Sequence, residues 1–399
     1  GTALHLAAAL GHESTVTALA SLGVDVHARM VSQSAALHLA AQNGNTTIVT
    51  ALISLGADVN ARTDQQWTAL HLAAHNGHTA TVSELICLGA DVHAIADQQR
   101  TALHFAAQNG HAPTVATLAS QGANVQAGTE EQWTALHIAA QNDHPATITE
   151  LFSLGADVHA RTDQQATALY IAAQNGHTTI VTALISLGAD LHARTDQEST
   201  ALHIAAQNGH TATVKALVSL GADVHARNHQ EDTALHLAAH FGHAATVTVL
   251  VSLGADIHAG SEKHPMPLHF AALYGHAATV TELASLGADI HALADQQCTA
   301  LHLAAQNGHS ATVTALASLG ADVHARNDRQ WTALHIAAQN GHAATVTELA
   351  SLGADVHARN DRQWTALHIA AQNGHAATVT ELASLGADVH ARNDRQWTA

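Results

Sequence analysis

Apolar positions recur along this chain in one short phrase, and a well-kept copy shows its parts. The stretch Ala333-Leu334-His335-Ile336-Ala337-Ala338 has helical spacing with small residues on one side, and Thr332 before it is predicted as an N-cap whose hydroxyl accepts from an orphan amide. Asn340-Gly341 tolerates positive φ and suits the tight turn of an αα-hairpin. A second helix is then predicted over 343–352, with Gly353 as its C′ residue. Beyond it, Ala354-Asp355-Val356-His357-Ala358-Arg359 alternates apolar and polar with the period of an extended chain, and 360–364 lead back to the next Thr, as a hairpin-like finger would. Neither helix is long enough to stand alone, so their Leu and Val faces must be buried against adjoining copies, with the alanines permitting close approach.

The phrase returns every 33 residues, from Thr2-Ala3-Leu4-His5 to Thr365-Ala366-Leu367-His368. Weaker copies at 35–38, 167–170 and 266–269 keep the same phase. Twelve units fit without an insertion, and Trp397, Thr398 and Ala399 begin a thirteenth. Residues 316–366 recur identically as 349–399, the mark of recent duplication or of a homogenised array. The chain therefore reads as a single array over 1–399 whose two ends lack the polar face of a capping repeat and look able to continue.

The period of 33, the Thr-Ala-Leu-His opening, Gly341-His342 before the second helix and Gly56-Ala57-Asp58-Val59-Asn60-Ala61 together resemble the ankyrin repeat family over residues 1–399. The resemblance implies an all-α repeat solenoid of twelve helix-turn-helix units with hairpin-like fingers, right-stacked into a curved superhelix. It also implies a concave face of fingers and first helices on which partner proteins dock. Two departures bear on structure. The family's Pro in the first motif is Ala except at Pro267, which matters little, since Ala also favours a helix start. The family's Gly near the finger tip is Gln, Glu or His in every unit, as at Gln33, Glu198, His264, Gln330 and Gln363. Because Gln and Glu avoid positive φ, a different type of finger turn is expected.

Thirty-six histidines raise the question of metal, yet thirty-two fall at three repeat positions, typified by His335, His342 and His357. Zinc needs ligands about 2.0–2.1 Å from one ion, whereas equivalent residues on stacked helices stand roughly 8–10 Å apart, so no row chelates. Structural hydrogen bonding is the reading for all three rows. With no Cys in ligand spacing, no HExxH and no carboxylate pair, neither a metal nor a cofactor is expected. Candidate Ser-His-Asp sets recur as scaffold in every unit, so no catalytic residue is expected either. Histidines held neutral inside the stack predict stability at neutral pH that is lost in acid.

A formal charge of −18, with Lys215 and Lys263 the only lysines, argues against a nucleic-acid partner. No apolar run approaches the length of a membrane span, so no membrane insertion is expected. Cys87 and Cys298 lie 211 residues apart and cannot meet within one stack, which fits a reducing, intracellular compartment. Asn45-Thr46-Thr47 matches a glycosylation sequon but sits where other units place His, so drift is the simpler origin.

Two further rows bear on function. Trp67, Trp133, Trp331, Trp364 and Trp397 share the slot just before Thr, which varies most between units. These tryptophans either pack on a neighbouring finger or, together with Arg329 and Arg362, contact a partner. The divergent stretch from Glu262 and Lys263 to Pro267 is a second candidate recognition point. Leu22, Leu55, Leu88, Leu154, Leu187, Leu220, Leu253, Leu286, Leu319, Leu352 and Leu385 form a ladder at the end of the second helix. Buried beneath the finger it is core; exposed, it offers a surface for self-association and, with open ends, for filaments. The function expected is therefore a non-enzymatic scaffold binding other proteins. The alternatives are a self-assembling structural protein and a targeting array within a larger effector, toxin or channel.

Overall fold

The computed structural model describes residues 1–260 and 264–398, so Glu262 and Lys263 of the divergent finger lie outside the described residues. Among the described residues there are twenty-four α-helices and two 3-10 turns, Asp97–Gln99 and Asp295–Gln297, and no strand. Helices of seven and nine residues alternate throughout, as in Ala333–Gln339 followed by Ala343–Ser351. The chain is an all-helical repeat solenoid that falls into two compact units, Gly1–Asp196 and Gln197–Ala399.

Within each compact unit, first helices pack on first helices and second on second, one repeat to the next. Helices this short are marginal in water, so their stability comes from the shared core. Leu334, Ala337, Ala338, Val346 and Leu349 are all sealed from solvent, and their counterparts are buried in nearly every repeat. Truncating one such leucine to alanine costs about 2–5 kcal/mol. Helix two ends at Ser351, one residue earlier than predicted, with Leu352 as the C-cap and Gly353 at φ 95° in the C′ position.

The predicted N-cap at Thr332 forms one half of a capping box whose other half is His335. The Thr332 amide donates to Nδ1 of His335 at 3.2 Å, and the Thr332 hydroxyl pairs with the same nitrogen at 2.9 Å. The hydroxyl accepts from the N3 amide at Thr167, from Tyr170 at 3.2 Å, and at Thr365, from His368 at 3.5 Å. An imidazole three residues on accepts from the cap amide in the place a Glu or Gln usually takes, which completes the box.

The fingers are hairpin-like without forming strands: a backbone bond closes the tip, as from the Asn327 amide to the Trp331 carbonyl at 3.0 Å, and among the described residues the pairing amounts to isolated bridges, Arg29 with Ala35 and Arg392 with Thr398. The Asp355 carboxylate accepts from the His357 amide at 2.9 Å, an Asx turn that bends the stretch read as extended. The expectation that Gln and Glu would avoid positive φ is overturned. Gln33, Glu198, Gln330 and Gln363 all adopt φ between 53° and 61°. A fixed ring of bonds imposes that conformation: the Gln330 amide donates to the Asn327 carbonyl at 2.9 Å, while Asn327 Oδ1 accepts from the amides of Arg329 and Trp331 at 3.0 Å. The turn keeps the geometry the family fills with Gly, and the side chain bears the strain.

Candidate functional site

The finger ring determines which side chains face outward. Asn327, Asn360 and Asn393 are buried, and each fixes the backbone of the Arg two residues on and the Trp four residues on. Three successive fingers thus present Arg329 and Trp331, Arg362 and Trp364, and Arg395 and Trp397 in the same pose. These six residues line one groove of about 720 Å³ in Gln197–Ala399, floored by Gln339, Ile369 and Gln372 of the first helices. Arg326 and Arg359 tie its fingers together, each donating to a carbonyl 33 residues on, at 2.7 and 2.6 Å. Trp331 and Trp364 are half-buried with one face against His335 and His368, at ring distances of 6.2 and 6.0 Å, while Trp397 is exposed. Against the acidic balance of the whole chain, this groove sets three guanidiniums beside two carboxylates, Asp361 and Asp394.

The sequence-predicted residues thus divide. Arg329, Trp331, Arg362 and Trp364 come together in one groove. Trp67 and Trp133 lie in Gly1–Asp196, in separate smaller grooves of about 290 and 390 Å³. Trp67 packs on Phe105 at 4.2 Å, and Trp133 borders Arg100, Glu130 and Glu131.

The leucine ladder is neither core nor a continuous apolar face. Leu22 is 80% exposed; Leu55, Leu220 and Leu319 are exposed to a lesser degree, and Leu88, Leu352 and Leu385 are half-buried.

The histidine rows have separate jobs. First-row imidazoles are buried, with Nδ1 accepting from the cap residue and Nε2 donating to a carbonyl of the finger that follows, as His71 does to Ala94 at 3.1 Å. Burial lowers His71, His104, His137 and His335 to about 4, the finger carbonyls opposing it only in part. Second-row imidazoles donate back to the preceding first helix, as His342 does to the Gln306 carbonyl at 3.0 Å. Asn45 performs the same task, donating to Ala8 at 2.9 Å, so the sequon side chain is already engaged. Third-row residues differ from the expectation. Asn60 and Gln126 bridge to the next repeat through both ends of their amides, but the exposed imidazoles at that position make no hydrogen bond among the described residues. An imidazole carries its donor and acceptor on opposite sides of a ring, whereas the amide offers both from one carbon, the arrangement this bridge uses.

Two features went unread in the sequence, because each joins residues from different slots of neighbouring repeats. His240 stacks between Phe241 and Tyr274 at 4.5 and 3.9 Å, and both aromatics are exposed. Nearby, Asp232, His236 and His264 converge, with one ligand atom of each within 4.8 Å of the others. Burial, with His264 alongside, lowers His236 to about 3, while burial raises the Asp232 carboxyl above its usual range against the opposing pull of His264. Cys87 and Cys298 are free thiols, and no helix among the described residues is long and apolar enough to cross a membrane.

A family model described as ankyrin repeats (3 copies) matches residues 4–96, 37–129, 70–162, 122–195, 169–261, 235–327 and 301–393. Among solved structures, the ankyrin repeat domain of human ASB11 is similar at a TM-score of 0.51 and 27% identity, covering 56% of this chain and 99% of that one. No curated protein sequence matches the chain.

Proposed function

Because the chain belongs to the ankyrin repeat family, whose repeats are in general protein-interaction modules, we propose that it is a non-enzymatic scaffold that binds a partner protein on the face formed by fingers and first helices. The observation that carries this reading is the groove lined by three Arg–Trp pairs on like finger turns. Trp and Arg are the side chains most often responsible for interface energy, and half-buried Trp faces already held in place lose little entropy on binding. The groove suits a segment that offers carboxylates to Arg329, Arg362 and Arg395 and apolar or aromatic side chains to the tryptophans.

The test is to select peptides from a random library against the whole chain, then measure them against Trp364→Ala and Arg362→Ala. Loss of an interface hot spot costs about 2 kcal/mol or more, so affinity should fall roughly 30-fold with an unchanged melting temperature. Selected binders indifferent to both substitutions would place the binding surface elsewhere. Self-association is the competing reading, and the partial cover over the leucine ladder weighs against it. Light scattering is expected to give a constant 41.2 kDa particle across concentrations; growth with concentration would favour the filament instead.

A further inference from the structure

Equivalent histidines stand too far apart to share an ion, but three non-equivalent side chains meet within Gln197–Ala399. Asp232 occupies the variable finger-base slot, His236 is the first-row histidine of the following helix Ala234–His240, and His264 comes from the finger one repeat on, where most units carry Gln. We propose that Asp232, His236 and His264 bind one divalent transition-metal ion of the zinc type, clamping the divergent finger to the helix beneath it. Two imidazoles and one carboxylate suit zinc and its neighbours and not calcium or magnesium, which take oxygen ligands.

Geometry supports the site from three sides. Ligands at about 2.0–2.1 Å around a tetrahedral ion stand roughly 3.3–3.4 Å from one another. Asp232 Oδ1 and His264 Nε2 are already 3.2 Å apart. His236 is fully buried, and its Nε2 has no hydrogen-bond partner; the Ala259 and Pro265 carbonyls lie near without completing a bond. The other first-row histidines, His335 and His71 among them, use this nitrogen on a finger carbonyl. A buried polar atom without a partner destabilises the fold, a cost that a metal bond would offset.

The ligands are also held in place. The Asp232 amide donates to Asn228 Oδ1 at 2.9 Å, and its carbonyl accepts from His203 at 3.1 Å. Thr233 holds Nδ1 of His236 at 3.1 Å by its amide and 2.9 Å by its hydroxyl. Coordination through Nε2 moves the ring proton to Nδ1, where the Thr233 hydroxyl accepts it; the amide bond to Nδ1 is given up. The Arg227 guanidinium, whose charge reaches Asp232 and His236, is drawn off by Glu231, at 2.7 Å from its carbonyl and 3.9 Å from its carboxylate. Phe270 walls the site, 5.7 Å from the His236 ring and 5.9 Å from His264. His264 leaves one approach open, its side chain being 18% exposed.

The array itself supplies conservative variants. Asp232→Ser installs the residue found at Ser34 and Ser199, and His264→Gln installs the commonest residue of its slot. Titrating the whole chain with Zn²⁺ and with Co²⁺ should show one tight equivalent with the visible bands of a tetrahedral cobalt centre. Both substitutions should abolish those bands and weaken binding by at least ~10-fold, the smallest loss usual even for outer-shell changes. Absence of a stoichiometric tetrahedral cobalt spectrum from the wild-type chain, or its survival in either variant, would overturn the proposal. Should one variant unfold, the other and the wild-type spectrum still decide.

Discussion

Ala343 stands where other repeats carry Thr79 or Ser310, and the missing hydroxyl is felt one repeat further on. Thr79 pairs with Thr114 at 2.8 Å and Ser310 with Thr345 at 3.0 Å, but Thr378, thirty-five residues after Ala343, is buried with its hydroxyl unpartnered. Thr147, Thr279 and Thr312 are orphaned in the same way, following Ala112, Ala244 and Ala277. Ala343→Ser should therefore stabilise the chain by about 1 kcal/mol in urea unfolding, and no gain would show that the orphan is already satisfied. A residue's role here is set jointly with its counterpart in the next repeat, which is why one-letter repetition hides it. The strained finger turn makes a second case. Gln363 at φ 61° carries left-handed strain that Gly lacks, partly offset by the freedom Gly has when unfolded. Gln363→Gly should stabilise by up to about 1 kcal/mol, and Gln363→Val should destabilise, as read by paired thermal melts.

At the scale of the element, the turn between the two helices is the joint that transmits packing. Gly308 sits at φ 75°, and a Cβ there would lie 2.7 Å from Nδ1 of His342, the ring that bonds back to Gln306. Gly308→Ala should cost about 2–4 kcal/mol, from the strained φ and the displaced imidazole together. His342→Ala should remove most of the clash term, so the double variant should melt above the sum of the single effects. Both helices and this turn were legible in the sequence because Asn-Gly, the terminal Gly and the apolar spacing are local signals. The finger was not: its alternation read as extended, whereas the Asp355 carboxylate folds it into a turn through a bond the apolar pattern does not record. The Arg–Trp groove was half-legible. Its members share a slot, but their common pose depends on the buried Asn327, Asn360 and Asn393. The Asp232, His236 and His264 cluster was illegible to any search along one row.

For the whole molecule, the buried first row determines how the fold answers to acid. The unfolded chain takes up protons near the ordinary histidine value of about 6.5, while His71, His104, His137 and His335 in the fold wait until about 4. Between those limits the unfolded state binds more protons, so stability is intact above pH ~6.5 and falls as pH drops toward ~4, by about 1.4 kcal/mol per unit for each such histidine. The melting temperature should be flat from pH 8 to 7 and clearly lower at pH 5; equal melting at pH 7.5 and 5 would remove this account.

Duplication has one more effect on the groove. Because residues 316–366 and 349–399 are identical, a ligand spanning two Arg–Trp pairs finds two related registers, one on 329–364 and one on 362–397, the second ending on the more exposed Trp397. Two registers at most double the association constant, a gain of up to about 0.4 kcal/mol from degeneracy alone. A tethered ligand can then slip by one repeat without leaving the surface, so the groove fixes what it holds more firmly than where it holds it.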